Sequence, residues 1–343
     1  MNKHIVTIAA LAALSLSSCV HKELCYNHEE HALRYHVQIN ADYRQEWEEH
    51  CTPGFTNWQQ EWPSAYMPYD EIRPGIPSGL RVINFTSDGA SHITNLPAEG
   101  GIVNLAQGSN DLLFYNNDTE YIVFTDMDQF ATTRATTRTR TRATYLGNPY
   151  DSKTDEEETV NPPDMLYGNF RAEYTPEKVE KPAPIDITMH PLVFTYKVRF
   201  EFESGLHYAA LGRGALSGMA KSVNLATGTT SDDVATVLFD CEMTEYGFLA
   251  LVRSFGAPGY PNGNYTKGDG AYGLNIEVRL RNGKIKSFDY DVTDQMKAQP
   301  HGGVIVVKGL VITDEEGKEG SVGGVFDVNV NDWGENEDII LPL

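Results

Sequence analysis

The sequence has no apolar run long enough to cross a membrane as a helix. Its main hydrophobic stretch, residues 5–16, falls short of the roughly 20 residues that a transmembrane helix needs. Basic residues are also scarce, since 27 Lys and Arg stand against 48 Asp and Glu and give a formal net charge of −21. Phosphate backbones and anionic headgroups repel such a chain. We therefore exclude nucleic acid as a partner, and electrostatic attraction as the means of membrane attachment.

Motifs that carry known enzymatic chemistry are missing as well. Gly212, Arg213 and Gly214 begin like a dinucleotide-binding fingerprint, but Ser217 stands where a third glycine is needed. No βαβ pattern surrounds this segment. Ser217 has only Gly218 beside it, so it does not form a nucleophile elbow. We therefore predict that the protein is not an enzyme and uses no cofactor.

Potential metal ligands cluster near the N-terminus, but their spacing is not that of a metal site. They are His21, Cys25, His28, His31 and His36. His28 and His31 lie three positions apart, whereas the paired histidines of a zinc protease lie four apart on one helix face. We interpret the cluster as part of a solvated tether, with weak adventitious metal binding as the alternative, and we predict no metal site.

The N-terminus has the layout of a secretory signal peptide. A short polar start precedes the apolar residues 5–16, and Ser17 and Ser18 follow as small residues. The run that ends in Cys19 resembles the bacterial lipobox, in which the cysteine is acylated and becomes the first residue of the mature chain. We predict cleavage after Ser18, removal of residues 1–18 and lipidation of Cys19.

The chain has four cysteines, which is too few for a disulfide-rich scaffold. Once Cys19 is lipidated, the three that remain allow at most one disulfide and leave at least one thiol free. Cys25 and Cys51 are the possible disulfide pair. Free, buried and unreactive thiols, Cys241 among them, are the alternative.

Composition and periodicity both favour an all-β protein. Glycine and proline are frequent, and long runs of Ala, Leu, Glu and Lys are missing, which is typical of short strands joined by many turns. Apolar and polar side chains alternate in several segments, as they do in strands. The predicted strands are 35–42, 80–85, 102–105, 111–115, 120–124, 194–203, 274–280, 288–292, 304–307 and 325–330, and residues 292–298 predict one helical turn.

Two of these segments carry more specific predictions. Residues 194–203 alternate so that Lys197 and Arg199 fall on the polar side, which predicts an antiparallel strand with one buried face. Asn282 and Gly283 predict a type I′ turn that closes a β-hairpin.

A break in composition divides the chain. Residues 131–144 are almost entirely Thr, Arg and Ala, and an acidic run follows at 151–158. We interpret 131–163 as a polar loop or linker that buries no core, with a trypsin-like processing site at its arginines as the less favoured alternative. The predicted organisation is a signal peptide at 1–18, a lipidated tether at 19–33, an N-terminal domain at 34–130, the linker at 131–163 and a C-terminal domain at 164–343.

Five short segments carry a resemblance to a known family: 19–28, 111–120, 217–220, 292–296 and 326–333. They resemble DUF5119, a Bacteroidetes lipoprotein family of unknown function that is similar to the fimbrillin-like proteins. The resemblance implies two tandem transthyretin-like, Greek-key β-sandwich domains and a role in, or derived from, surface fimbriae. It also implies assembly by β-strand addition, in which a strand of a neighbouring subunit fills a groove.

The resemblance leaves two functions open, and a hydrolase without a recognisable nucleophile or metal motif is a third, less favoured hypothesis. In polymerising members, proteolysis after an arginine removes the first strand, and Arg34 is a poor candidate for such a cleavage. We therefore favour an anchor or accessory subunit that keeps its lipid and its first strand. The alternative is a surface lipoprotein that binds a glycan or a host ligand and does not polymerise. In both cases we expect a lipid-anchored protein of the outer membrane, exposed at the cell surface.

Overall fold

Two large β-sheets contain most of the strands of this protein. The computed structural model describes residues 33–44, 75–140, 157–260, 272–300 and 302–318. These residues form eighteen strands, two short α-helices and two 3-10 turns. The all-β prediction is confirmed. Within the same ranges, no helix is long and apolar enough to span a membrane.

The strands and helices follow one another along the chain. In order they are β1 (His36–Tyr43), β2 (Gly79–Thr86), β3 (Ser91–Pro97), β4 (Gly100–Asn104), β5 (Asn110–Asn116), β6 (Ile122–Thr125), β7 (Arg134–Thr137), β8 (Glu158–Val160), β9 (Tyr167–Tyr174), β10 (Ala183–Pro191), β11 (Phe194–Ser204), β12 (Ala209–Ala220), β13 (Ser222–Asn224), β14 (Val234–Met243), β15 (Gly247–Ser254), β16 (Gly273–Leu280), β17 (Ile285–Asp291), α1 (Thr293–Ala298), β18 (Gly303–Val311) and α2 (Asp314–Lys318).

The two large sheets share one plan, in which a four-stranded part joins a three-stranded part. In the first sheet β3-β2-β5-β9 continues into β10-β1-β4. In the second β17-β16-β12-β14 continues into β15-β11-β18, and β8 pairs with β14 as an eighth strand. Each joint is short, with two residue pairs between β9 and β10 and two between β14 and β15. Each sheet supplies most of one hydrophobic core. The described chain is therefore built as two tandem sandwich-like units, as predicted.

In each unit the first and last strands are neighbours and run parallel. β1 pairs with β10 in the first unit, and β11 pairs with β18 in the second. A parallel pair needs a long connection, and most of each unit lies between these two strands in sequence. The exception is β8, which precedes β11 and pairs with β14 of the second sheet.

A small third sheet, β13-β7-β6, ties the two units together. Ile122 of β6 and Ala135 of β7 belong to the first core, and so does Val223 of β13. Because β13 lies between β12 and β14 in sequence, the second unit contributes side chains to the core of the first.

The predicted linker at 131–163 is wrong for its described part. Arg134–Thr137 form β7 and Glu158–Val160 form β8. Ala135 and Thr137 are buried while Arg134 is exposed. Threonine and alanine are small enough to pack, and β-branched threonine favours strands, so this low-complexity composition still gives a strand with one buried face.

The predicted C-terminal domain begins at residue 164, but residues up to 193 still pack in the first core. Apolar side chains throughout 165–193 pack in the first core, although the prediction assigned them to the domain 164–343. β9 and β10 complete the first sheet, because β1 takes its parallel neighbour from far along the chain.

The prediction for 194–203 is correct for the strand and wrong for its surroundings. β11 lies between β15 and β18, antiparallel to the first and parallel to the second. Lys197 and Arg199 are only 4% and 8% exposed, so both faces are buried. The guanidinium of Arg199 lies 3.5 Å from the centre of the Tyr246 ring and 2.7 Å from a carboxylate oxygen of Glu201, which compensates for its burial.

The predicted hairpin is present, but its turn is of another type. β16 and β17 pair in an antiparallel ladder. The N–H of Gly283 donates to the carbonyl of Leu280 at 2.9 Å, and Gly283 alone in the loop has a positive φ, of 85°. A type I′ turn would require a positive φ at Asn282 as well. The loop is therefore a type I turn followed by a glycine bulge.

Candidate functional site

The predicted lipidation and disulfide residues lie outside the described part of the chain. Ser18, Cys19, Cys25 and Cys51 fall within 1–32 or 45–74, and their roles stay predictions. Among the residues that the structure describes, no three His, Cys, Asp or Glu side chains converge as metal ligands.

The site that bears on strand addition is the position of β1 in the first sheet. β1 lies between β10, which is parallel to it, and β4, which is antiparallel. Residues 37–43 pair with 183–189, and residues 36–40 pair with 100–104. We call β4, β10 and the space that β1 fills between them the first-strand groove.

Alternating side chains hold β1 in this groove. Val37 and Ile39 are fully buried, whereas Asn40 and Asp42 are exposed. Burial of a Val or Ile side chain contributes about 1.5–3 kcal/mol. On the exposed face, the Asn40 amide donates to the Asp186 carboxylate of β10 at 2.8 Å. Core packing and the two backbone ladders therefore both hold β1 in the groove.

Tyr43 fixes the C-terminal end of β1. Its hydroxyl donates to the carbonyl of Ala98 at 3.0 Å, and its ring meets the Tyr167 ring edge-on with centroids 5.3 Å apart. Burial, together with the nearby charges of Asp118 and Glu99, raises the pKa of Tyr43 to about 12. The phenol therefore stays protonated near neutral pH and remains a hydrogen-bond donor.

Backbone pairing continues beyond both ends of β1. The N–H of Arg34 donates to the carbonyl of Val179 and the N–H of Val179 donates to that of Arg34, both at 2.9 Å. At the other end, the N–H of Arg44 donates to the carbonyl of Met189 at 2.9 Å. A protease must hold its substrate as a free extended segment, so this pairing supports the expectation that Arg34 is a poor cleavage site.

Three arginines of the alternative processing segment are also bonded through their backbone. Arg134 lies in β7, between β6 and β13. The N–H of Arg138 donates to the carbonyl of Tyr121 at 3.0 Å, and that of Arg140 donates to the carbonyl of Thr159 at 2.9 Å. The bonds oppose cleavage at these positions in the folded protein. Arg142 lies outside the described ranges.

A cleft of about 380 Å³ lies where the two units meet. Its lining includes Tyr121, Arg140, Asn161, Asp164, Thr195, Leu251 and Arg253. Tyr121 is 38% exposed and Leu251 is 50% exposed. Arg140 is paired with Asp240 at 3.2 Å, and the Asp164 carboxylate accepts backbone N–H groups from residues 120–122. The cleft offers an aromatic ring, an apolar side chain and amide and guanidinium donors.

The glycine-rich segment that resembled a nucleotide fingerprint has a packing role. A Cβ on Gly212 would lie 2.8 Å from the ring of Phe248, and one on Gly214 would lie 2.1 Å from the ring of Phe239. Ser217 is fully buried, and its hydroxyl oxygen accepts the N–H of Gly273 at 3.1 Å. These glycines make room for aromatic rings, and the serine connects two strands.

Comparison with known families gives one match, to the model described as "Domain of unknown function (DUF5119)", over residues 69–240. The matched residues run from before β2 to β14 and so include strands of both units. No curated protein matches the chain.

Solved structures resemble the chain at low sequence identity. A candidate adhesin from Bacteroides ovatus superimposes with a TM-score of 0.56 at 18% identity, over 85% of this chain and 93% of that one. The fimbrial anchor protein Mfa2 from Porphyromonas gingivalis has a TM-score of 0.43 at 10% identity, over 80% and 90%. The tip fimbrial protein Mfa3 from the same organism has a TM-score of 0.33 at 12% identity, over 74% and 81%. The first likeness establishes a shared fold.

Proposed function

We propose that this chain, which belongs to the DUF5119 family, is a non-enzymatic lipoprotein of the cell envelope that serves as a fimbrillin-like anchor or accessory subunit of surface fimbriae. A lipid on Cys19 holds it in the outer membrane, and the two units project from the cell surface. Its partners are other fimbrial subunits, bound by β-strand addition in which this chain receives no donor strand in its first-strand groove, because β1 fills that groove. The adhesin name of the Bacteroides ovatus structure supports a role of this kind.

The occupied first-strand groove is the observation that carries this proposal. A subunit that must receive a donor strand needs an open groove, and here β1 fills the groove with paired residues on both sides. The pairing of Arg34 with Val179 protects the backbone just before it. A subunit that keeps its own first strand fits the end of a fibre, where the assembly meets the membrane.

The lipid supplies the attachment that the net charge of −21 opposes. Each buried CH₂ group of an acyl chain contributes about 0.8 kcal/mol, and two or more chains anchor a protein durably where one binds only marginally. The predicted tether then separates the folded units from the bilayer.

Shearing of intact cells tests the proposal. We expect the protein at the base of sheared fibres or in the cell fraction with the membrane, and we expect deletion of its gene to change fibre length or retention on the cell. The Cys19→Ala variant is expected to leave the membrane fraction while the folded units remain intact. Absence of the protein from fibres, together with unchanged fibres in the deletion strain, would remove the fimbrial function.

The cleft where the two units meet supports a second candidate function, that of a surface lipoprotein that binds a glycan or host ligand without polymerising. The exposed ring of Tyr121 can stack on a sugar, and Asn161 and Arg253 lie in the same cleft as donors. Glycan-array binding of the purified protein tests it. Signals that Tyr121→Ala abolishes and Tyr174→Ala preserves would support this function, and an array without signals would exclude it for the sugars tested.

A further inference from the structure

The second sheet ends at β18, and α1 covers the outer side of this strand. β18 pairs with β11 on its inner side, and within the described ranges no strand lies on its outer side. An uncovered edge would present backbone N–H and C=O groups to solvent and act as a template for a strand of another chain.

Two glutamine side chains, Gln295 in α1 and Gln299 directly after its last residue, bond to this edge. The Gln295 carboxamide donates to the carbonyl of Val306 at 3.0 Å and accepts the N–H of Val306 at 2.9 Å. The Gln299 carboxamide does the same with Val304, at 2.8 and 2.7 Å. Each carboxamide thus uses its donor and its acceptor as the peptide group of a neighbouring strand would.

The geometry of helix and strand explains why two such pairs form. Residues four apart on a helix are separated by about 6 Å along its axis, and residues two apart on a strand by about 6.6 Å. Gln295 and Gln299 are four apart, and Val306 and Val304 are two apart on the same side of the strand. The helix therefore runs antiparallel to β18. The spacing of two glutamines about one turn apart matches the spacing of two residues on the same side of the strand.

The surroundings hold the helix in this place. Met296, between the two glutamines, is 1% exposed and packs in the second core. The hydroxyl of Tyr196 on β11 donates to the carbonyl of Gln299 at 3.1 Å. A Cβ on Gly303 would lie 2.1 Å from Oε1 of Gln299, so the glycine leaves room for the carboxamide. Gln299 itself is 4% exposed, which shields its bonds from water.

The rest of the β18 edge carries other features that discourage pairing. Lys308 is exposed and lies two residues after Val306, and its ammonium is 3.4 Å from a carboxylate oxygen of Glu201 on β11. Gly309 has a φ of +81°, and the register with β11 shifts in this part of the strand. A charged lysine and a bulge are common devices by which natural sheets protect an edge.

We propose that Gln295 and Gln299 are edge-capping residues, whose carboxamides occupy the hydrogen-bonding positions of a neighbouring strand and close β18 to strand addition. Without these two glutamines, we expect β18 of one copy of this chain to pair edge to edge with β18 of a second copy. The consequence for fibre assembly, that the β18 edge takes no part in it, rests on the proposed function. The capping itself does not.

Hydrogen exchange of the purified protein tests the capping directly. In the Gln295→Leu/Gln299→Leu variant, we expect the amide protons of Val304 and Val306 to exchange roughly tenfold faster, because each loses one hydrogen-bond acceptor. The amide of Ile305, which points towards β11, serves as an internal reference. If the double variant does not fold, Gln295→Leu alone should accelerate exchange at Val306 and leave Val304 slow.

Self-association is the second readout. We expect the double variant to form dimers with rising concentration in size-exclusion chromatography with light scattering, and the Gln129→Leu control, which adds a leucine at an exposed position, to stay monomeric. Unchanged exchange at Val304 and Val306, or a double variant that stays monomeric at every concentration, would overturn the proposal. Because no fimbriae are involved, these outcomes are independent of whether the protein joins a fibre.

Discussion

Gly100 on β4 lies directly against the backbone of Ile39 on β1. A Cβ at Gly100 would be 2.1 Å from the carbonyl oxygen of Ile39, and Gly100 has a φ of +108°. A side chain at this position would therefore push β1 away from β4 and would also strain its own backbone. The close approach is part of how the first-strand groove holds its strand.

We expect Gly100→Ala to lower the free energy of unfolding by more than the backbone penalty alone, because the added methyl also clashes with β1. Gly89→Ala is the matched control, because Gly89 also has a positive φ, of 83°, but no atom lies within 4 Å of its added Cβ. The control should lower the free energy of unfolding by about 1–2 kcal/mol, the usual penalty for a left-handed residue. Urea denaturation measures both. Equal losses in the two variants would contradict the packing of β4 against β1.

A second pair tests why β12 is rich in glycine. Gly214 lies opposite Phe239 of β14, and an added methyl would meet the ring. We expect Gly214→Ala to lower the free energy of unfolding by about 1–3 kcal/mol, as overpacking does. The same change in a Phe239→Leu background should have a smaller effect. Gly75→Ala, where no atom lies within 4 Å, should be nearly neutral. Equal effects of Gly214→Ala in both backgrounds would show that the ring is not the cause.

The hydrogen bonds at the second short helix, α2, should make the stability of the folded protein depend on pH in the acid range. Glu316 and Thr313 form a capping box, in which the N–H of Thr313 donates to the Glu316 carboxylate at 2.8 Å and the Thr313 hydroxyl accepts the N–H of Glu316 at 3.3 Å. Lys286 donates to the same carboxylate at 2.6 Å. The Lys286 hydrogen bond, followed by that of the Thr313 backbone, lowers the pKa of Glu316 to about 2 from its usual 4.5.

Because the folded pKa lies below the unfolded one, Glu316 stabilises the folded state above about pH 4.5, and this contribution is lost as the pH falls towards about 2. Wild type should therefore exceed Glu316→Gln in stability at about pH 6 and lose that advantage at about pH 2. Glu315→Gln, a neighbouring exposed position, is the control. A difference between wild type and Glu316→Gln that stays constant over this range would contradict the assignment.

The free thiol of Cys241 should react slowly. Cys241 packs against the second core, and burial, with a smaller effect of the Asp240 charge, raises the pKa of its thiol. The thiolate is the reactive form, so iodoacetamide near neutral pH should label Cys241 slowly in the folded protein and rapidly in concentrated urea. Peptide mass mapping identifies the labelled residue. Labelling of the folded protein as fast as of the unfolded chain would contradict this placement.

Local patterns predicted nine of the eighteen described strands, because alternation of side chains is a local property, and they missed the other nine, among them β10, β12 and β14. The alternation in β1 and the hairpin at Gly283 could both be found in the sequence, although the turn type could not. The pattern at 194–203 gave the strand but not the burial of Lys197 and Arg199. That burial depends on what packs over the polar face, such as Tyr246 over Arg199.

The groove and the edge caps could not be predicted, because they join distant parts of the chain. Asn40 and Asp186 are 146 positions apart and meet only once β10 lies parallel to β1. The bonds of Gln295 and Gln299 replace a strand with side chains, and no sequence period marks such a device. The threonine- and alanine-rich β7 was missed for a different reason, since its composition is shared with linkers.

The identity of the mature N-terminus is the most direct test of the central claim, that a lipidated subunit keeps its own first strand. Protein extracted from the outer membrane of the native organism can be digested and its N-terminal peptide analysed by mass spectrometry. We expect an acylated Cys19 at the start of a chain that continues through Arg34 into β1. A mature chain that begins after Arg34, or one whose Cys19 carries no acyl group, would contradict the account.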